Sequence, residues 1–317
     1  MSTRGSRIDW LVFLAMGFMW GSSYLFIKIG VDHGLQPFTL VMYRLGIGAA
    51  LLALVVAWFR EPLPRDPRMY GHLFVMGVVN IAIPFALITY AEQVVDSSLA
   101  AVINGAVPLF VIVIAALFLR GERITINRIA GLVVGFVGIA VLVGFDVTQL
   151  GSANTLGELA LLGATISYAI GAVYAKAHIH GLRPMIPALF QVFFALVVIT
   201  VLAFVTEHPL SAVPGPEALV AVAWLGLLGS GLAYLAFFRI LGRWGATRTS
   251  MVAYLLPVVG IALGAVVLHE PLAPSTLLGT ALVIGGIALV NSRVGTRPVV
   301  AGAEAAPGQV RDGAGGT

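Results

Sequence analysis

Two of the 18 Lys and Arg residues of this chain, Lys28 and Arg44, lie within long apolar runs, and they offer the most chemistry. Arg44 sits eight residues into its run, about 12 Å along a helix that rises about 1.5 Å per residue. An ionisable group at that depth is a functional candidate by default. Its guanidinium has the geometry to hold a carboxylate through two parallel hydrogen bonds. The competing expectation is an ion pair with Asp32, Glu92 or Asp96 at the end of the run. Lys28 lies nearer such an end, where a lysine snorkels to the interface. Its helical phase also places it on the broad face of Trp20 and Tyr24. A carboxylate-bearing ligand held by Arg44 or Lys28 is the chemistry these two cations suggest.

Polar and aromatic groups recur near the middles of other runs. Trp20, Ser22 and Ser23 come first, then Asn80, Asn104, Ser167, Tyr168, Gln191, Ser230, Tyr234 and Tyr254. From these and Arg44, the expected cavity residues are Trp20, Ser23, Arg44, Asn80, Asn104, Tyr168, Tyr234 and Tyr254. Polar groups in hydrocarbon face other helices or a wet cavity, so ordinary interhelical hydrogen bonding stays open for each. Asn104 lies four residues before Pro108 and Tyr254 three before Pro257, beside carbonyls that a proline leaves unbonded. Pro84 interrupts one run, and Gly229-Ser230-Gly231 occupies a similar place in another. Pro84, Pro108, Gly231 and Pro257 are the expected hinges, with tolerated kinks as the alternative.

The elements that must position these groups are membrane helices. The chain is 59% hydrophobic and 10% charged, with a mean hydropathy of +1.01, far from a soluble domain. Ten runs are long enough to cross a bilayer, which takes about 20 residues each: 8–31, 36–60, 71–91, 97–119, 127–145, 155–176, 185–206, 217–239, 246–268 and 275–293. Every Lys and Arg other than Lys28 and Arg44 falls at the N-terminus, at the C-terminus, or in or at the border of every second gap. The other gaps, near Asp32, Asp96, Asp146, Glu207 and His269, hold none. This pattern predicts both termini in the cytoplasm. Cations spread over six inner segments make the net charge of +4 a matter of topology, so no nucleic-acid partner is expected. With zero cysteines there is no disulfide framework or thiolate metal site. The first run is too long for a signal-peptide core and reads as an uncleaved helix. Residues 294–317 are Gly/Ala-rich and are expected to form a disordered cytoplasmic tail.

The chain also carries its own repeat. HGLQP at 33–37 returns as HGLRP at 180–184, Lys28 matches Lys176, and Pro108 matches Pro257. Glu122, Gly131 and Gly138 match Glu270, Gly279 and Gly286, all at offsets close to 148. Five spans per half is an odd number, so the second copy enters the membrane inverted. The expected fold is therefore an all-α integral membrane protein with ten transmembrane helices in a 5+5 inverted-topology repeat, covering residues 8–145 and 155–293. Residues 129–145 carry no polar side chain and 277–290 only Thr280, which suits lipid-facing or scaffold helices. Glu122 and Glu270 stand just before spans, near Thr125 and Ser275, and read as capping or loop-pairing groups.

MWGSSYLFIK at 19–28, Pro108 followed by Gly121-Glu122, and the repeat pair Pro257 and Glu270 resemble the EamA-type members of the drug/metabolite transporter superfamily. The resemblance covers about residues 8–293 and is closest to bacterial amino-acid exporters. It departs at His269-Glu270, where the first half has Gly-Glu. It implies a secondary transporter in a bacterial-type inner membrane that exports amino acids, neutral or aromatic, or similar small metabolites by alternating access. A nucleotide-sugar or other organic-anion carrier is the alternative, and it would want more cavity cations. Its partners would be a small-molecule substrate and the lipid bilayer; monomer and homodimer both stay open. No cofactor, metal or catalytic residue is expected. G-x-S-x-G, H-E-x-x-H and G-x-x-x-x-G-K-[ST] are absent, and His33, His72, His178, His180, His208 and His269 lie at span ends or in loops.

Overall fold

A computed structural model describes residues 6–119, 125–143, 152–211, 213–245 and 249–292. Glu122, Asp146 and the 294–317 tail fall outside these residues. Ten helices are long and apolar enough to cross a membrane: α1 (Arg7–Asp32), α2 (Pro37–Trp58), α3 (Pro67–Ala91), α4 (Ser97–Phe118), α5 (Ile126–Val143), α6 (Ala153–His178), α7 (Met185–Thr206), α8 (Pro216–Trp244), α9 (Ser250–Val267) and α10 (Pro274–Asn291). No β-strand occurs among the described residues.

Local chemistry explains the helix ends. Ser6 and Asp9 form a capping box at the start of α1. Asp66 caps α3 and Pro67 opens it, so α3 begins four residues before the apolar run that marks it in sequence. At its far end α8 runs to Trp244 and stops at Gly245, whose φ is +77°. The duplicated HGL motif has a conformational reason: Gly34 and Gly181 take φ of +87° and +72°, a left-handed region that only glycine enters without penalty. The turns after α2 and α7 also match, with Arg60 and His208 both at φ +50°. His269 takes φ +56° where the first half has Gly121, so it adopts a glycine-type turn at some steric cost.

Helix packing repeats between the halves with the roles exchanged. α2 packs on α7, α4 on α9 and α5 on α10. α1 packs on α8 and α9 as α6 packs on α3 and α4, and α2 packs on α8 as α7 packs on α3. The featureless helices α5 and α10 stand side by side, with Ile129, Val133, Val137, Leu277 and Leu278 on the outside. Their contact is backbone to backbone. A methyl group on Gly286 would meet Gly135 N at 2.6 Å and Gly131 O at 2.7 Å. Small residues drive such approach because helices in lipid gain by close van der Waals contact rather than by hydrophobic burial.

Neighbouring Gly285 has nothing within 4 Å of the same added methyl. Gly286→Val is therefore expected to cost about 1–3 kcal/mol by forcing α5 and α10 apart, read as a lower melting temperature of the detergent-purified protein. Gly285→Val should leave the melting temperature near that of the parent. Equal effects from both would contradict the close backbone contact.

Candidate functional site

Two helices loosen at mid-depth. α3 widens into a π-helical turn at Val78–Ala82, with Pro84 just beyond it, and α8 does so at Leu225–Leu232, a turn that contains Gly231. A wider turn releases carbonyls that hydrocarbon cannot solvate. Each half supplies the donor for the other half's turn. Trp20 Nε1 on α1 donates to Gly229 O at 3.1 Å, and Ser167 Oγ on α6 donates to Val79 O at 2.6 Å. Ser167 stands 147 positions after Trp20, at the repeat offset. The other two expected hinges also mark discontinuities. Pro108 follows the break at Ala106 in α4, and Pro257 follows the 3₁₀ turn Ser250–Tyr254 that opens α9.

The same exchange places the charge. Arg44 Nε on α2 donates to Ser230 Oγ in the π turn of α8 at 2.9 Å. At the matching place Asn80 Nδ2, in the π turn of α3, donates to Gln191 Oε1 on α7 at 3.0 Å. Arg44 is buried, 4% exposed, with its Cζ 3.9 Å from the centre of the Phe85 ring. Among the described residues no carboxylate lies within ion-pairing distance of it, so the expected pair with Asp32, Glu92 or Asp96 does not form. Asp32 pairs with Lys28 instead, at 3.2 Å. The two terminal guanidinium nitrogens donate to no described group. A cation–π contact contributes about 2 kcal/mol when desolvated, and a hydrogen bond to a charged group about 1.5–3 kcal/mol. Against them stands an effective penalty of several kcal/mol for each buried ion, which leaves the outer fork of Arg44 matched to an anion.

Five of the eight expected cavity residues converge here. The Tyr24, Tyr168 and Tyr234 phenols lie near enough to interact electrostatically with Arg44. Trp20 meets Tyr234 edge to face at 6.0 Å between ring centres. Ser23 Oγ would sit 2.9 Å, and Arg44 Nη2 3.5 Å, from a methyl group on Gly229. The other three make no hydrogen bond or ring contact with this group among the described residues. Asn80 is engaged by Gln191. Asn104 is buried with its Oδ1 unpartnered, at the break in α4. Tyr254 accepts a hydrogen bond from Asn291 Nδ2 at 2.9 Å, at the end of α10. Sequence reasoning left out Phe85, an apolar residue in an apolar run; Ser230 carried a signal, its place between two glycines.

Lys28 has no free role at this centre, since its Nζ donates to the main-chain oxygen of Glu92 at 2.9 Å. Glu270 behaves as a cap, although of α4 rather than of its own span: its carboxylate accepts from Ser97 N at 2.8 Å, Ser98 N at 3.0 Å and the Ser98 hydroxyl. Ser275 makes no cap for α10. Glu207 does the same for α2, accepting from Phe38 N at 2.9 Å and Thr39 N at 2.7 Å. Loops of the second half thus cap helices of the first, on the face without arginine loops.

The EamA-like transporter family matches this chain twice, over residues 8–144 and 155–292. The chain belongs to that family. The EamA-like chain is a multi-pass membrane transporter with ten spans. It is 26% identical over 274 residues to the uncharacterized transporter YoaV of Bacillus subtilis, covering 86% of this chain and 93% of that one. It is 29% identical over 280 residues to the uncharacterized inner membrane transporter YedA of Escherichia coli K12, covering 87% and 88%. A solved crystal structure shares the fold at a TM-score of 0.64 and 21% identity, over 90% of this chain and 96% of the other.

Gly229 keeps the space beside Ser23 and Arg44 open. Gly229→Ala is expected to weaken saturable substrate binding about fivefold to tenfold, equivalent to roughly 1 kcal/mol of crowding. Its melting temperature should stay close to that of the parent. Unchanged affinity would show that substrate does not approach this side of the guanidinium.

Proposed function

We propose that this EamA-like transporter is a secondary exporter of amino acids, neutral or aromatic ones foremost, or of similar small carboxylate-bearing metabolites. The observation that carries this reading is the buried guanidinium of Arg44, which among the described residues has no carboxylate beside it and no partner for its outer fork. A substrate carboxylate supplies the bidentate partner, and Trp20, Tyr168 and Tyr234 give an apolar side chain a wall that also carries polar tips. The resemblance to bacterial amino-acid exporters supports the substrate class and the direction.

The halves are read as inverted repeats around this centre, with the arginine-bearing face in the cytoplasm of a bacterial-type inner membrane. The exchanged helix contacts and the family's double match support that reading, and the similarity to an inner membrane transporter supports the location. Alternating access then moves one helix group against the other at the weak points near Pro84, Pro108, Gly231 and Pro257. The rival organic-anion carrier for nucleotide sugars would need a second cation at the centre, and Lys28 is tied to Asp32 and Glu92 O.

Proteoliposomes offered a panel of neutral, aromatic and charged amino acids plus one nucleotide sugar, with and without a pH gradient, test the reading. Saturable amino-acid transport is expected. Arg44→Gln should raise the half-saturating concentration of carboxylate-bearing substrates about 10- to 100-fold, the worth of a lost charge-assisted contact. Arg44→Lys should recover only part of it, since an ammonium lacks the planar fork. Transport of the nucleotide sugar alone, or unchanged amino-acid affinity in Arg44→Gln, would overturn the substrate class.

A further inference from the structure

Glu92 follows the last residue of α3 on the face without arginine loops. A charged group there would ordinarily reach water, yet Glu92 is fully buried, at 0% exposure. Both carboxylate oxygens are buried and neither has a hydrogen-bond partner among the described residues. The nearest cation is already engaged, because Lys28 Nζ donates to the main-chain oxygen of Glu92 and pairs with Asp32. The other charged groups that act on it come from three elements: Asp32 on α1, Arg44 on α2, and Glu270 from the α9–α10 link. Asp96 lies four residues on in its own loop, and α6, which packs along α3, carries Glu158 in its first turns.

We propose that Glu92 is a proton-binding site, filled from the solution on its own face as that face closes and emptied when it opens. An ionised carboxylate without a donor is not tolerated in such a place, and the group neutralises instead. Burial holds the Glu92 carboxyl well above the usual carboxylate range; Lys28 opposes this, Glu270 adds to it, Arg44 opposes it and Asp32 adds to it. The sign of the linkage follows. A carboxyl whose affinity for protons is raised in the closed arrangement stabilises that arrangement at low pH, and the contribution is lost as pH rises through the raised value. Closing this face takes up one proton, and opening it releases one. Between the two proton affinities the ratio of closed to open molecules then changes by about tenfold per pH unit. The electrostatic link between Glu92 and Arg44 gives the proton a route to influence substrate binding at the centre.

The proposal takes from the functional reading that the Glu92 face is extracytoplasmic, and the experiment separates the two. The chain has no cysteine, so one introduced thiol reports cleanly. Val95, 5% exposed and in the same link as Glu92, is protected in the closed form; exposed Gln93 reports sidedness. Right-side-out vesicles carrying Val95→Cys are labelled with an impermeant maleimide across a series of external pH values on the acid and alkaline sides of neutrality. Each value is normalised to the denatured chain at the same pH, which removes the titration of the thiol itself. Labelling is expected to climb with pH when Glu92 is present and to stay at the low, closed level in Glu92→Gln, which imitates the protonated group. Glu92→Asp should keep a pH response and guards against a folding defect in the amide variant.

A flat profile with Glu92 present, an equal climb in Glu92→Gln, or labelling that follows sodium rather than pH would each overturn the proposal. If Gln93→Cys labels only after permeabilisation, the topology is at fault rather than Glu92, and the same series in inside-out vesicles then decides the proton site.

Discussion

A backbone carbonyl freed inside an apolar bundle must find a donor, and the centre of this transporter is arranged around that requirement. The π turns of α3 and α8 release carbonyls at mid-depth, where water and lipid offer no remedy. The remedy comes from the opposite half each time, through Ser167 to Val79 O and through Trp20 to Gly229 O. These bonds hold α1 on α8 and α6 on α3. They also fix Trp20 beside Tyr234 and Ser230 in front of Arg44. The site is thus a consequence of how two loosened helices are satisfied, and the rigid pair α5 and α10 stands outside it as scaffold.

Duplication supplied two nearly equivalent places for polar chemistry, and the sequence distinguishes them. Where one place joins Trp20 and Arg44 of the first half to Ser230 of the second, the other joins Ser167 and Gln191 of the second half to Asn80 of the first. The second set is self-contained, with Asn80 and Gln191 bonded to each other and no charge to compensate. The first set holds a guanidinium that one hydroxyl and one phenyl ring do not satisfy. A breach of symmetry of this kind gives the centre a polarity: an anionic group belongs on the Arg44 side and neutral contacts opposite. The proposed small zwitterion would suit such a centre better than a dianion would, because no second free cation stands near it among the described residues.

The sequence made the spans and their number legible because they rest on local facts. Apolar run length, arginine spacing and the paired HGL motifs each report a constraint that acts within a few residues, and Gly34 and Gly181 share their left-handed turn for that reason. Arg44 was legible for the same kind of reason, as an ion at an improbable depth. Its partners were not. Phe85 reads as one more apolar residue, and only the packing of α3 on α2 turns its ring toward the guanidinium. Tyr254, placed by sequence beside a proline-freed carbonyl, goes instead to Asn291, a residue 37 positions away. Glu92 was hidden for a different reason, since a carboxylate at a span end is ordinarily solvated, and its burial depends on α1 and the α9–α10 link closing over it.

That closure joins the Glu92 face to the rest of the mechanism. Glu207 and Glu270 hold it by accepting main-chain N–H groups at the starts of α2 and α4, each contributing on the order of 1 kcal/mol as a cap. Water can replace such bonds when the face opens, so their loss is affordable. On the arginine face Asp9 joins Arg239 and Arg243, at 3.4 and 3.0 Å, and Glu61 joins Arg183 at 3.0 Å. The arginines of these pairs are 43–67% exposed while the Asp9 and Glu61 side chains are only 5% and 12% exposed, so water reaches each pair through its arginine. Both faces are therefore fastened by polar contacts that water can reach from at least one side. The strong terms lie between them, in the hydrogen bonds that Trp20 and Ser167 donate to buried carbonyls and in the glycine contact of α5 and α10.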